Sequence, residues 1–288
     1  MTRLALDTVA KDQFNANIFT VNDISEIADK EKLYRAYESG WPVVIRGLTV
    51  EGIDYDYYDD LPDWVIPGNK WIAPWYYSDI KKRDRMRNER DWTEEQIDEF
   101  HRQHKQSDKA WNNFFSTLLP RYQEAQNKTL SHRYNMLVEN NLHFDELDAD
   151  HSGIDQQIRM FTNLDKKRPR VLTFGMDLVQ LWHTYKDSHN LEELDKTDAH
   201  SFVSDMRDRL IWNKENWALF HHPLHYITLD PGDIWMFNAQ WLSHQLVFGA
   251  KLQLFEADIH QDLLVSPELC LSNRIRNIEN EVPFGFDK

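Results

Sequence analysis

The feature that most constrains this chain is a series of short β-rich runs in its second half, each ended by turn residues. "IRMFTNLD" (158–165), "RVLTFG" (170–175), "HYITLD" (225–230), "DIWMFNA" (233–239) and "AKLQLFEADI" (250–259) are short and rich in branched and aromatic side chains, which is strand chemistry. A helical pattern over about 176–216 interrupts them. Many short strands with one helical insertion suggest an antiparallel barrel or jelly roll dressed with helices.

The first half reads differently. "SEIADKEKLYRAYESG" (25–40) has apolar residues at helical spacing and stops at Gly40. "WPVVIRGL" (41–48) switches to a β-branched run and predicts a buried strand. Residues 51–80, dense in Tyr, Trp, Asp and Pro, suit a structured loop or a binding wall. "DWTEEQIDEFHRQH" follows with Thr93 and Gln96 in capping-box spacing. Helical pattern continues through "WNNFFSTLLPRYQEAQNK" with a break at Pro120, and strand-and-turn texture begins near residue 132. There are no internal repeats and no Gly/Ser-rich or Pro-rich linker. The expectation is therefore one α+β domain over 1–288, with an N-terminal helical and aromatic region (1–130) and a β-rich core at about 130–260.

Composition narrows the function. With 41% hydrophobic residues and 11 Trp, 11 Tyr and 15 Phe in 288 residues, the chain can bury a large aromatic core. A formal charge of −15 disfavours nucleic acid and anionic membrane surfaces, which bind through Lys and Arg. The basic runs "KKRDRMRNER" (81–90) and "KKRPR" (166–170) read as solvated faces or loops, although either could touch an anionic substrate. The single cysteine, Cys270, excludes an internal disulfide and a Cys-x-x-Cys site. Nothing approaches the roughly 20 apolar residues of a membrane span, and the N-terminus carries no leader pattern. A soluble cytoplasmic protein is expected. No Gly-x-Gly-x-x-Gly, P-loop or Gly-x-Ser-x-Gly motif occurs.

The chemistry concentrates in "NLHFDELDADH" (141–151). Alternate residues of a strand share a face, so His143 and Asp145 can reach one ion while Phe144 faces away. Such a pair is weak evidence alone; His260-Gln-Asp262 is a second instance, with no histidine after it. His143 and Asp145, in contrast, are followed by Pro231-Gly232, fit for a type II turn, then His244 and Gly249. Two histidines and one carboxylate on one face of an octahedral ion leave the other positions open for substrate and oxygen, as in non-haem Fe(II) oxygenases.

These motifs resemble the Fe(II)/2-oxoglutarate-dependent dioxygenases, over roughly 130–260, with "GWPVVIRGL" (40–48) looking like the strand that leads into such cores. The carriers are "HFD" (143–145) and "PGD" (231–233) followed by His244. The resemblance implies a double-stranded β-helix, or jelly-roll, core with N-terminal helices and a helical insert. It also implies Fe(II) held by His143, Asp145 and His244, with 2-oxoglutarate as cosubstrate and O2 as oxidant. "LHFDELDADHSGIDQQIRMFTNLDKKRPRVLTFG" (142–175) is further similar to the Kdo hydroxylase branch, in which His-x-Asp precedes an Arg-x-Phe-x-Asn strand and a Pro-Arg-x-x-x-x-Gly turn.

One departure concerns the cosubstrate's distal carboxylate. Many members supply an Arg or Lys about ten residues after the distal histidine, where this chain has Leu254. A buried carboxylate needs a cation. Arg159, on the strand after the His-x-Asp loop, is the first choice and Lys251 the second. Asn163, on the face of Arg159 and Phe161, could donate an amide hydrogen bond or be a satisfied core asparagine.

Other polar clusters read as incidental. "HHPLH" (221–225) suits a loop leading into a strand better than a zinc site, because Pro223 breaks helical pairing. His151 reads as solvated, and "WIAPWYYSD" (71–79) as either a pocket wall or core. Two functions follow: an Fe(II)/2-oxoglutarate oxygenase hydroxylating an unactivated C–H bond of a small metabolite, with 2-oxoglutarate decarboxylated to succinate, or a non-catalytic cupin-like ligand-binding protein. The amino-acid sequence leaves the substrate open among amino acids, sugar acids and similar molecules. Halogenation is argued against by the carboxylate at 145, since halogenating variants place a small residue there.

Overall fold

The computed structural model describes residues 17–21, 23–27, 30–61, 71–72, 84, 87–88, 91–134, 142–145, 156–210 and 225–281. Among these, ten strands form two sheets, of seven and three strands.

In the larger sheet the spatial order is β1 (Asn17–Thr20), β2 (Val43–Arg46), β8 (Ile234–Phe237), β5 (Gln156–Asn163), β10 (Leu252–Ile259), β4 (Gln126–Arg133) and β3 (Trp71–Ile72). Every pairing is antiparallel except β1 with β2. The smaller sheet runs β7 (His225–Leu229), β6 (Arg170–Asp177), β9 (Leu242–Phe248). An isolated antiparallel bridge between His143 and His244 adds the His-x-Asp segment beside β9.

Period-two alternation decides which faces meet. On β5, Ile158 and Met160 face the N-terminal helices, whereas Phe161 joins the cluster shared with the smaller sheet. That inner cluster unites Phe161, Trp235, Phe237 and Leu254 of the large sheet with Leu172, Phe174, Ile227 and Leu246 of the small one. On the outer face, α3 (Glu94–Leu118) lays Trp111 and Phe115 against Phe255, with Trp111 stacked on Phe255 at 5.7 Å between centroids and 9° between planes. The capping box starts this helix as its spacing predicts, with Thr93 and Gln96 exchanging side-chain and backbone hydrogen bonds. α1 (Lys30–Glu38) ends at Gly40, whose φ of 91° lets Trp41 N–H return to the Ala36 carbonyl.

Between β6 and β7 lie α4 (Leu178–Tyr185) and α5 (Ala199–Leu210), in the expected helical insertion. Together with α6 (Leu271–Arg276) they bury Trp182, Phe202 and Ile275 around Leu142 and Phe144. Phe144 thus points away from its two neighbours in the His-x-Asp pair, into the helical cluster.

Three sequence expectations need correction. Strand β4 begins at Gln126, inside the stretch that reads as helix, because its first residues are exposed and carry no apolar alternation. β9 carries the distal histidine and is a strand that the five β-rich runs do not include. Within 51–80, Asp54 caps a short helix, α2 (Tyr55–Asp60), by accepting from the Tyr57 N–H. Residues 62–70 and 73–80 of that stretch lie outside the described residues, and so do His151 and the first four residues of "HHPLH".

Candidate metal and substrate site

The His-x-Asp segment is held to the smaller sheet by its own backbone. His143 N–H donates to the His244 carbonyl (3.0 Å) and His244 N–H returns to the His143 carbonyl (2.9 Å). Asp145 N–H donates to the Ala239 carbonyl (2.9 Å), in a turn closed by Asn238, whose Oδ1 accepts from Gln240 and Trp241 N–H. The approach is close enough to need a glycine. A Cβ on Gly175 would lie 2.8 Å from Ser243 Oγ and 2.9 Å from Leu142 Cδ2.

These contacts gather one ligand atom each from His143, Asp145 and His244 within 4.8 Å of one another, the one such group of three found among the described residues. His143 Nε2 lies 3.3 Å from Asp145 Oδ1, His244 Nε2 lies 3.7 Å from Asp145 Oδ2, and the imidazole centroids are 4.5 Å apart. His244 Nδ1 is 3.1 Å from the Leu242 carbonyl. A carbonyl only accepts, so Nδ1 carries the proton and Nε2 keeps its lone pair for a cation. Two imidazoles and a carboxylate on one side of a cleft fit a divalent first-row metal with open positions. The competing His260 and Asp262 pair at 3.0 Å on the surface, exposed and, among the described residues, without a third ligand.

The cleft beside this triad is walled by Phe161, Trp235 and Phe237, an aromatic lining with a few polar groups of the kind small-molecule sites carry. Phe161 stacks between the other two, at 5.3 Å and 5.6 Å. Phe237 meets the His244 ring edge-to-face at 4.8 Å.

Two arginines line the cleft, Arg133 at the end of β4 and Arg170 at the start of β6. Arg170 is 3% exposed and shares its strand face with Leu172 and Phe174, the register partner of His244. Its stem packs against Gly249, where φ is 150° and a Cβ would come within 2.7 Å of Arg170 Cγ.

Neither sequence-predicted cation is in the cleft lining. Arg159 bonds the Asp145 carboxylate and also pairs with Glu256 (Nε to Oε1, 2.9 Å) and Gln157 (2.8 Å). Burial holds its guanidinium below the usual arginine range, with Glu256 acting the other way. Lys251 donates to the Asp59 carbonyl and does not line the cleft. Asn163 spends its amide locally, donating to the Arg168 carbonyl (3.0 Å) and accepting from Asp165 N–H (3.1 Å), as a satisfied core asparagine does. Asp233 of the Pro-Gly-Asp motif braces its turn, where Gly232 has φ 79° and Asp233 N–H closes on the Asp230 carbonyl (3.0 Å).

Sequence reasoning named neither lining arginine as a ligand, although it allowed the run 166–170 a contact with an anionic substrate. Arg170 closes the basic run 166–170, which reads as solvated, yet it alternates with Leu172 and Phe174 on a buried strand. Lys166 of the same run does pair at the surface, with Asp56, and Arg168 pairs with the buried Asp165. Arg133 carried no signal beyond its place two residues after Ser131.

The architecture is that of solved non-haem Fe(II), α-ketoglutarate-dependent dioxygenases. Kdo hydroxylase KdoO in complex with succinate and Fe(III) superposes with a TM-score of 0.69 at 15% identity, over 94% of this chain and 98% of that one. Its complex with α-ketoglutarate and Fe(III) gives 0.68 at 14% identity over 94% and 99%, and its apo structure 0.67 at 15% over 96% and 97%. At these identities the likeness is one of fold. No protein-family model and no curated protein sequence matches the chain.

Proposed function

We propose that this protein is an Fe(II)- and 2-oxoglutarate-dependent oxygenase that hydroxylates an unactivated C–H bond of a small molecule. One observation carries the reading: two imidazoles and a carboxylate converge within 4.8 Å at a cleft whose aromatic wall also holds buried Arg170. A site for a metal and a site for a carboxylate thus share one cavity. KdoO, with the same fold, is described as a non-haem Fe(II) α-ketoglutarate-dependent dioxygenase and binds α-ketoglutarate and Fe(III). The strand order further supports a jelly-roll core in a single domain, with β4, β10, β5 and β8 facing β7, β6, β9 and the His-x-Asp segment.

His143, Asp145 and His244 would hold the iron, which supplies oxygen activation coupled to decarboxylation of 2-oxoglutarate to succinate. The chain's own residues set the conditions. The Leu242 carbonyl fixes the His244 tautomer with Nε2 toward the metal. Arg159, braced by Glu256 and Gln157, orients the Asp145 carboxylate rather than the cosubstrate. Arg170 pairs with the distal carboxylate of 2-oxoglutarate, in place of Arg159 or Lys251, because a guanidinium offers a carboxylate a planar two-point fork. Phe161, Trp235 and Phe237 exclude water and strengthen that pair. The test is substrate-dependent succinate formation from 2-oxoglutarate by anaerobically Fe(II)-loaded protein; stoichiometric iron and 2-oxoglutarate binding with no succinate under any condition would favour the binding-protein reading.

A further inference from the structure

The cleft holds more positive charge than the proposed cofactors consume. Within that oxygenase reading, Fe(II) and Arg170 are balanced by Asp145 and the two carboxylates of 2-oxoglutarate, and Arg159 is answered by Glu256 at 2.9 Å. Arg133 is left over. It lines the same cleft, only partly exposed, and forms no ion pair among the described residues. Its Nε is buried without a hydrogen-bond partner. Two residues earlier on the same strand face, Ser131 is 2% exposed and its Oγ is also without a partner.

Buried guanidinium N–H groups cost free energy unless an acceptor meets them. Along β10 its cross-strand partner Leu252 and the next inner position, Leu254, are apolar, and the Asp145 carboxylate of the same cleft is already bonded by Arg159. A carboxylate arriving with a ligand would supply the acceptor. We infer that the primary substrate is a small organic molecule bearing a carboxylate, and that Arg133 binds that carboxylate while Arg170 keeps the cosubstrate's. Two arginines on opposite sheets let one cavity hold two carboxylate ligands in different places. Arg133 is thereby a specificity-determining residue, selecting acids over their neutral counterparts.

The experiment uses full-length protein loaded anaerobically with Mn(II) and 2-oxoglutarate, titrated calorimetrically with gluconate against sorbitol and with benzoate against benzyl alcohol. Each carboxylate should bind at least about tenfold more tightly than its neutral counterpart, as loss of a charge-assisted hydrogen bond predicts. Arg133→Gln should bring that ratio near one while leaving 2-oxoglutarate affinity within about twofold, and Arg133→Lys should restore part of it. A ratio near one in the wild type, or one unchanged in Arg133→Gln, overturns the assignment. So does a loss of 2-oxoglutarate affinity in Arg133→Gln as large as in Arg170→Gln, which would make both arginines cosubstrate ligands. Wild-type protein that fails to bind Mn(II) or 2-oxoglutarate overturns the oxygenase reading itself, whereas a lost carboxylate preference with both bound overturns only the role of Arg133.

Discussion

Replacing Arg170 by glutamine separates the two places from which this chain could draw the cosubstrate's cation. Arg170 is 3% exposed in an aromatic cleft, where removing one partner of a hydrogen-bonded charge pair costs about 2–5 kcal/mol. At about 1.4 kcal/mol per tenfold, 2-oxoglutarate should bind some 30- to 4,000-fold more weakly. Mn(II) affinity should stay near wild type, because Arg170 is not among the three candidate ligands. Gly249→Ala tests the same residue without removing its charge. The new Cβ would meet Arg170 Cγ at 2.7 Å and Nη1 at 3.0 Å, so the guanidinium must move and 2-oxoglutarate affinity should fall about tenfold or more. Lys251→Ala removes only a bond to the Asp59 carbonyl and should leave that affinity within about twofold. Arg159→Gln should instead weaken Mn(II), since Arg159 orients Asp145. The assay is equilibrium binding of 2-oxoglutarate to Mn(II)-loaded protein. Wild-type affinity in Arg170→Gln alongside a large loss in Arg159→Gln would refute the reasoning and return the anchor to β5.

Two further predictions concern the frame. His104 and His132 form a buried pair (Nδ1 to Nε2, 2.9 Å) beside Tyr58 and Phe100. Burial, helped by His101, lowers His104 to about 4, and burial, helped by His104, lowers His132 well below the usual histidine range. Both are therefore neutral in the fold, while the unfolded chain takes up their protons below its ordinary histidine pKa of about 6.5. Their stability contribution is complete above that pH and is lost as pH falls toward 4. For His104 alone the loss between pH 7 and 5 is about 2 kcal/mol, visible as a drop in urea midpoint that His104→Gln should reduce; equal drops in both proteins would contradict it. Gly175→Ala puts a methyl against Leu142 and Ser243, so it should push the His-x-Asp segment off β9 and weaken Mn(II) about tenfold or more. An unchanged Mn(II) isotherm would show that the segment tolerates the shift.

The pattern of short strands was legible because strand chemistry is local: the runs at 158–165, 170–175, 225–230, 233–239 and 250–259 each overlap an observed strand. The convergence of His143, Asp145 and His244 was legible because His-x-Asp is a face rule and one downstream histidine follows the Pro-Gly turn. The cations were not. Arg159, Arg170 and Arg133 all lie on strand faces turned toward the cleft, and only cross-strand register tells which of them meets a carboxylate. That register puts Glu256 opposite Arg159, but Leu229 opposite Arg170 and Leu252 opposite Arg133. Long-range pairing is absent from local sequence, so the charged partner of Arg159 was invisible. The start of β4 was missed for a different reason, since exposed strand residues carry no alternation to read. Among the described residues no helix is long and apolar enough to cross a membrane.

The most direct test of the metal centre is an anaerobic calorimetric titration of Mn(II) into wild-type protein, Asp145→Ala and His244→Ala, with 2-oxoglutarate binding measured with and without the metal. Each substitution removes one donor from a group whose ligand atoms lie within 4.8 Å of one another, and Asp145→Ala still leaves Arg159 paired with Glu256. The fold should persist by circular dichroism. The wild type should bind one Mn(II) per chain and take up 2-oxoglutarate tightly only in its presence. Both variants should lose metal affinity by at least ~100-fold, beyond the range usual for residues behind the ligands. Wild-type-like Mn(II) affinity in both folded variants would contradict the triad, and with it the proposed oxygenase.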